Sequence, residues 1–286
     1  MQQNYVFVVD TNRQQLNPVT PKQARRLLEK GKAAVFRMYP FTLILKTVID
    51  NPIIRPLALK IDPGSKFTGI ALLDGENVIW AAELEHRGYQ IKDACNQKKG
   101  NKPVEEFLKK KPELLKKIKS KAKKTLHDAA AVNATRNKLV KVLSGSLPTR
   151  TATGAQTKYN RIRLNLDKKH WIDAACVGDI DNLKLLTNQP LKIKCNGHGT
   201  RQMCRTDKYC FPSRYVPRFK FVKGFQTGDI VKAVVTSGKK IGEYMGRIAT
   251  RSTGSFNIST REKIVQGISY KYCKTVHKKD GYSYAF

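Results

Sequence analysis

Apolar and polar positions alternate with a period of two over Tyr5–Asp10, the first of several short strand signals along the chain. Thr20, Pro21 and Gln23 supply an N-cap, an N1 proline and the far half of a capping box, and Gly31 stands at C′, so a helix is predicted over Lys22–Lys30. Ala33–Arg37 and Phe41–Lys46 read as two more strands around Pro40, making residues 1–52 a small βαββ platform. Beyond Pro52 and Pro56, Leu57–Ile61, Phe67–Leu73 and Val78–Ala82 are three apolar strands. Their turns are marked by Pro63-Gly64 and Asp74-Gly75, the pattern of a meander. Asp128–Leu143 places Ala131, Val132, Thr135, Leu139, Val142 and Leu143 on one side of a helix. A candidate strand at Leu147–Thr153 and a basic stretch at Lys158–Lys169 follow. Trp171–Leu186 then reads as a helix with Trp171, Ala174, Ala175, Ile180, Leu183 and Leu186 inward. Asp229–Val235, Glu243–Thr250, Ser255–Ile258, Ile264–Tyr270 and Tyr272–His277 are short strands between glycine turns, which predicts a small β-barrel over 226–286. The fold class expected from these elements is α+β.

Two segments break the pattern. Residues 92–124 hold 13 Lys against 4 acidic residues, with Pro103 and Pro112 at the starts of helices predicted over Val104–Lys111 and Glu113–Lys124. Their apolar stripe (Phe107, Leu108, Leu114, Leu115, Ile118) is thin, as on a solvated charged helix pair or a phosphate-contacting surface. Residues 192–223 hold nine Lys/Arg and a single acid, Asp207, interleaved with Tyr209, Phe211, Tyr215, Phe219 and Phe221. That mixture suits backbone tracking with base stacking; equally, it suits a linker (191–225) whose aromatics pack on a neighbouring domain.

Charge decides the partner class. The 286 residues carry 55 Lys+Arg against 22 Asp+Glu, a formal charge of +33, and an excess of that size calls for a polyanion, with nucleic acid foremost. The candidate contacts are Lys22, Arg25, Arg26 and Lys30 on the platform helix, Lys158, Arg161 and Arg163 in the basic stretch, and Arg201, Arg205 and Lys208 among the aromatics. The longest apolar runs fall far short of the ~20 residues that span a bilayer, and no segment pairs a cationic face with a broad apolar one, so no membrane partner is expected. MQQNYVFVVD lacks a basic region followed by an apolar one, and six cysteines are too dilute for a disulfide scaffold; a cytoplasmic, nucleoid-associated protein is expected.

The chemistry-bearing residues are few. Asp62 ends the first meander strand in Lys-Ile-Asp-Pro-Gly, where a carboxylate at a strand edge can hold a metal, although Asp-Pro-Gly is also an ordinary turn. His170 and Asp173 lie one helical turn apart and share a face. Together the three give the acids and imidazole of a two-metal phosphodiester site, with Asp62 and Asp173 as metal ligands and Mg2+ as the cofactor of any cleavage. Cys195, His198, Cys204 and Cys210 contain no CxxC pair, so no zinc is expected.

The run IDPGSKFTGIAL resembles the first segment of a RuvC (RNase H-like) nuclease, and HWIDAACVG resembles its third. LNPVTPKQARRLLEKGKAAVFRMYPFTLIL is similar to the platform that opens the IscB proteins, transposon-encoded RNA-guided DNA nucleases. HRGYQIKDA, GNKPVEEFL, DAAAVNATR, GHGTRQMCRTDKY and GSFNI with VQGISYKYC extend the resemblance over nearly the whole chain. It implies a RuvC-type domain over 53–190, catalytic roles for Asp62, His170 and Asp173, and a C-terminal domain that touches a short duplex motif beside the target. It also implies a guide RNA and a double-stranded DNA target as partners, in a ribonucleoprotein with one copy of the protein.

The departures are as informative. Leu16-Asn17-Pro18-Val19 stands where the family has Pro-Leu-Met-Pro. The family also has a bridge helix, a second RuvC segment with a catalytic Glu, and an HNH domain. Here His86–Ala94 runs straight into Cys95–Asn101, which resembles an HNH tail (95–101) with Cys95 as a former zinc ligand and Asn96 as the last residue of the catalytic motif. The RuvC domain is therefore expected to be incomplete, its catalytic set partial, and its central strand replaced by a rearranged pairing, with Leu147–Thr153 as the candidate, or left as an exposed edge. Glu85 is the substitute carboxylate the sequence offers. Four readings stay open: an RNA-guided DNA-binding protein with lost or impaired cleavage, a weak Mg2+-dependent nicking endonuclease, a non-guided basic RNA-binding protein, and a non-functional deletion product.

Overall fold

The computed structural model describes residues 3–91, 93, 109–114, 116–117, 126–145, 147–198, 203–209, 211–216 and 218–286, with backbone alone at 126–129. The expected HNH remnant at 95–101 and most of the two Lys-rich helices over 103–124 lie outside the described residues.

The N-terminal unit runs β1 (Val6–Val9), β2 (Gln15–Val19), α1 (Pro21–Glu29), β3 (Ala33–Arg37) and β4 (Thr42–Leu45), in sheet order β2-β1-β4-β3 with β1 and β4 parallel. It is thus ββαββ, not βαββ. The strand unseen in the sequence contains Asn17-Pro18, which reads as a turn; at a sheet edge the missing proline N–H breaks no ladder bond. The capping box forms as predicted: Thr20 Oγ1 accepts from Gln23 N and Gln23 Oε1 from Thr20 N. Gly31, at φ +64°, closes the helix by donating to Leu28 O while Lys32 N donates to Leu27 O. Ala24, Val6, Ala33 and Leu43 form this unit's core.

β5 (Leu57–Pro63), β6 (Phe67–Asp74) and β7 (Asn77–Glu85) make the expected antiparallel meander at the centre of a larger sheet. On one side β8 (Thr149–Arg150) lies parallel to β5, through Leu59–Thr149 and Lys60–Arg150; this is the short strand expected within 147–153. On the other side β10 (Leu191–Cys195) is parallel to β7, β9 (Lys184–Leu185) pairs with the start of β7, and β20 (Tyr282–Ala285) is antiparallel to β10. The order is β20-β10-β7-β6-β5-β8. A strand from the stretch read as a linker and one from the chain's end therefore both complete the central sheet.

Both faces of this sheet are covered. Leu57, Leu59, Ile61, Leu72 and Ile79 meet Tyr5 and Phe7 of the N-terminal unit and Leu143 and Leu147 at the end of α2 (Leu126–Ser144). On the opposite face, Ala71, Leu73, Val78 and Ala81 meet Trp171, Ile172, Ala174 and Ala175 of α4 (His170–Ala175), which follows α3 (Gly154–Arg163). The helix expected over Trp171–Leu186 stops after one and a half turns. Asn160 Nδ2 donates to both Cys176 O and Gly178 O, and Gly178 turns to φ +83°, leading the chain out of the helix. Ile180 and Leu183 still reach the same core, but from a loop, so their helical spacing was coincidental. On α2 the half-buried positions are Val132, Arg136, Leu139, Val140 and Leu143, whereas Ala131, Thr135 and Val142 are exposed. The apolar stripe is rotated because Arg136 is turned inward, donating Nε to Pro63 O.

Two hairpins follow, β11 (Cys204–Thr206) with β12 (Pro212–Tyr215) and β13 (Phe221–Val222) with β14 (Phe225–Gln226). The last unit is a five-stranded antiparallel sheet of β15 (Ile230–Val235), β16 (Gly242–Ala249), β17 (Ser255–Ser259), β18 (Ile264–Ser269) and β19 (Cys273–His277), in order β18-β17-β16-β15-β19. Val231, Ala233, Val235, Ile248, Phe256 and Ile258 fill its core by strict alternation. Asp229, fully buried, ties its entrance to its exit by accepting from Gln226 N and Lys279 N.

Candidate functional site

Asp62 lies near the end of β5, directly opposite Gly69 of β6. A Cβ at Gly69 would stand 1.8 Å from His170 O and 3.0 Å from Trp171 N, so only glycine lets the first turn of α4 rest on the sheet here. Lys169, the N-cap residue of α4, makes no side-chain cap. Glu83 of β7 takes that place, its Oε1 accepting from His170 N at 3.1 Å and Trp171 N at 3.4 Å. The His170 ring stacks on Phe67 with centroids 4.8 Å apart. Two residues before Asp62 on the same strand face, buried Lys60 donates Nζ to Ala175 O at 3.3 Å, satisfying a carbonyl at the far end of the helix. α4 is thus tied to the sheet at both ends, by β7 at its start and by β5 at its end.

Within this frame the three candidate residues come together. Burial pushes the Asp62 carboxyl above the usual carboxylate range and the Asp173 charge adds to it, while His170 and Arg136 pull the other way. Asp173 is engaged: its Oδ1 accepts from Arg161 Nε at 2.8 Å, and both side chains are largely withdrawn from water. Arg161 and Asn160 are neighbours on α3, so one short helix both ends α4 and neutralises its acid. Arg136 reaches the site from α2, and His86 Nε2 lies 2.7 Å from Thr68 Oγ1; burial and Arg136 push that imidazole below its usual range. Burial, then Asp173, push the Cys176 thiol up to about 11, keeping it protonated and unreactive. Burial followed by Arg150 lowers Lys60.

Every carboxylate here faces a cation or backbone donors: Asp173 has Arg161, Glu83 the start of α4, and Asp62 the field of His170 and Arg136. Glu85, the substitute carboxylate offered by the sequence, sits 3.7 Å from Lys194 across the β7–β10 pair. Among the described residues no three His, Cys, Asp or Glu side chains are grouped to hold a metal ion. Among the described residues the donor set is therefore only partial for a two-metal centre, whose cations each need several oxygen ligands. Cys195 and Cys204 are free thiols, and Cys95 and Cys210 lie outside the described residues.

The basic residues divide. Lys22, Arg25, Arg26 and Lys30 are exposed on α1, as are Lys158 on α3 and Arg205 and Lys208 on the first hairpin. Arg161 points inward to Asp173. Arg163 is exposed but donates Nη2 to Ile180 O. Arg201 lies outside the described residues. Glu83, Arg136 and the inward role of Arg161 were not legible in the sequence, because each acts across elements far apart in the chain.

Residues 6–102 match the family described as RRXRR protein, an N-terminal region typical of IscB-type nucleases. The match includes Asp62 and Glu83 and ends before His170 and Asp173. A search of curated proteins gives no match. Among the described residues no helix is long and apolar enough to cross a membrane.

Proposed function

We propose that the chain is an RNA-guided DNA-binding protein of the IscB type in which cleavage is lost or strongly impaired. The family match over residues 6–102 carries this reading, since it spans both the basic platform and the strand that bears Asp62. The net charge of +33 supplies the affinity for guide and target backbones. Base pairing would read sequence, the protein would read duplex shape, and the C-terminal five-stranded sheet, open rather than the closed barrel expected from the sequence, would touch a short motif beside the target. We read β5–β8 with α4 as an RNase H-like core lacking one central strand, β8 having moved beside β5. The Arg161–Asp173 pair supports loss of cleavage, because a guanidinium is seated where a metal-binding carboxylate would have to be free. The working form is one copy of the protein with one RNA, in the cytoplasm on the nucleoid.

The test is purification from cells that also carry the DNA flanking the coding sequence, followed by sequencing of co-purifying RNA. One discrete RNA surviving a high-salt wash is the expected result. A smear of cellular RNA lost in salt would sink the guided reading in favour of a plain basic RNA-binding protein.

One observation favours a second reading, residual Mg2+-dependent nicking: Asp62 and Asp173 stand close enough for one charge to raise the other's pKa. It requires nicking of supercoiled plasmid that disappears in Asp62→Ala; nicking unchanged by that substitution belongs to a contaminant.

A further inference from the structure

We propose that the β11–β12 hairpin is a stacking platform for unpaired bases of single-stranded RNA. The choice of RNA rests on the guided reading above; the stacking surface stands on its own observations. Tyr209, Phe211 and Tyr215 are 67, 67 and 73% exposed, so these rings do not pack on a neighbouring domain, the alternative left open by the sequence. They are nevertheless held in place. Asp207 Oδ1 accepts from both Tyr209 N and Phe211 N at 2.9 Å, and Asp207 N donates to Phe211 O at 2.9 Å, so the one acid of this region builds the hairpin tip that presents the rings.

The charges around the rings point to a phosphate-bearing partner. Arg205 and Arg214 are directly opposite each other in the β11–β12 register, both are exposed, and by strand alternation they lie on the hairpin face away from Tyr215, which pairs with Cys204. Like charges at a cross-strand pair destabilise a hairpin unless an anion lies between them. Lys208 Nζ stands 4.8 Å from the centre of the Tyr209 ring, adding a cation at the edge of the aromatic surface. A protein partner covering these rings would strand Lys208 away from water, whereas a nucleic-acid strand satisfies both features: its bases stack on the rings, and its phosphates meet Lys208 beside them and the arginines where the strand wraps the hairpin. A duplex keeps its bases stacked inside, so the platform discriminates for unpaired strands.

The test uses the full chain, freed of bound RNA, with fluorescence anisotropy on a labelled short oligouridine, its oligothymidine counterpart and an RNA duplex of the same length. It is run at about 0.5 M salt, where purely electrostatic binding is weak. The variant Tyr209→Ala/Phe211→Ala/Tyr215→Ala should weaken oligouridine binding about tenfold or more and change duplex binding less than twofold. Arg205→Gln/Arg214→Gln should lower the slope of log affinity against log salt by roughly 1.4, two phosphate contacts on a single strand. All five positions are exposed, so thermal melts should match the unsubstituted protein. An aromatic variant that binds oligouridine unchanged, or loses both ligands equally, overturns the platform. Tighter binding of oligothymidine than of oligouridine overturns the choice of RNA. If no discrete RNA co-purifies but the aromatic variant still loses oligouridine, the guided reading fails and the stacking platform stands.

Discussion

Arg161 on α3 donates Nε to Asp173 Oδ1 on α4 at 2.8 Å, and the two side chains retain 13 and 15% of their exposure. The pair joins two helices, beside the bonds that Asn160 Nδ2 donates to Cys176 O and Gly178 O just past the end of α4. Asp173 still pushes the Asp62 carboxyl up, second only to burial; without the guanidinium, Asp173 would face Asp62 with no cation of its own.

Arg161→Ala should therefore destabilise the protein by about 2–4 kcal/mol, since removing one partner leaves a largely buried charge uncompensated. Urea melts of Arg161→Ala, Asp173→Asn and the double variant measure it. The double variant should recover a large part of the loss. If the losses of the two single variants simply add in the double variant, the pair contributes nothing beyond packing.

Asp62 gives a pH signature. Its folded pKa is raised, chiefly by burial and then by Asp173, so the folded state holds this proton more tightly than the unfolded chain. Its contribution to stability is fully present below the unfolded carboxylate range near pH 4 and is lost as pH rises through the folded pKa, after which it stays lost. Asp62→Asn cannot ionise, so it should be more stable than the parent at pH 7 and converge with it in acid. Melting temperatures taken between pH 3.5 and 8 check the sign. A variant less stable than the parent at pH 7 would mean that the carboxylate is favourably held there.

Gly69→Ala should be severe. The added methyl would lie 1.8 Å from the His170 carbonyl, and that atom belongs to backbone held by Glu83 on the other side. Moving α4 off the sheet uncovers Ala71 and Leu73, at a cost of about 3 kcal/mol or more. Near-UV circular dichroism from the buried Trp171 reports the displacement directly. An unchanged Trp171 signal with full stability would show that the helix can slide without loss.

What the sequence revealed follows from how far apart the cooperating residues lie. The α1 cap was readable because Thr20 and Gln23 satisfy each other within one turn, and the C-terminal strands because inward positions such as Val231, Ala233 and Val235 alternate without interruption. β2 was hidden by Asn17-Pro18, whose turn chemistry is harmless at a sheet edge. The overlong helix after Trp171 arose because Ile180 and Leu183 keep helical spacing while packing from a loop. Asp62, His170 and Asp173 were visible as residue types in a familiar pattern. Their partners were not: Glu83, Arg136 and Arg161 are polar residues whose role exists only once β7, α2 and α3 close around α4.

The union of the N-terminal unit with the central sheet rests on Asn4. Its side chain imitates a strand residue, donating Nδ2 to Ala81 O at 2.8 Å and accepting from Ala81 N at 2.9 Å, while Thr187 Oγ1 donates to the same Asn4 oxygen at 2.8 Å. All of this is buried against the middle of β7, so Asn4→Ala leaves a backbone N–H, a carbonyl and a hydroxyl unsatisfied together, for about 3 kcal/mol or more. Asn4→Asp keeps the shape but replaces the donor with a charge facing a carbonyl, and should be worse than alanine at pH 7 and less so in acid, as the carboxyl takes a proton and regains a donor. Thr187→Val removes one bond and should lose only about 1 kcal/mol. Hydrogen exchange at the Ala81 amide separates these effects from general loosening: it should accelerate strongly in Asn4→Ala and little in Thr187→Val. If the Ala81 amide stays protected in Asn4→Ala, another group has taken up the bond, and the N-terminal unit is held to the sheet by Tyr5 and Phe7 instead.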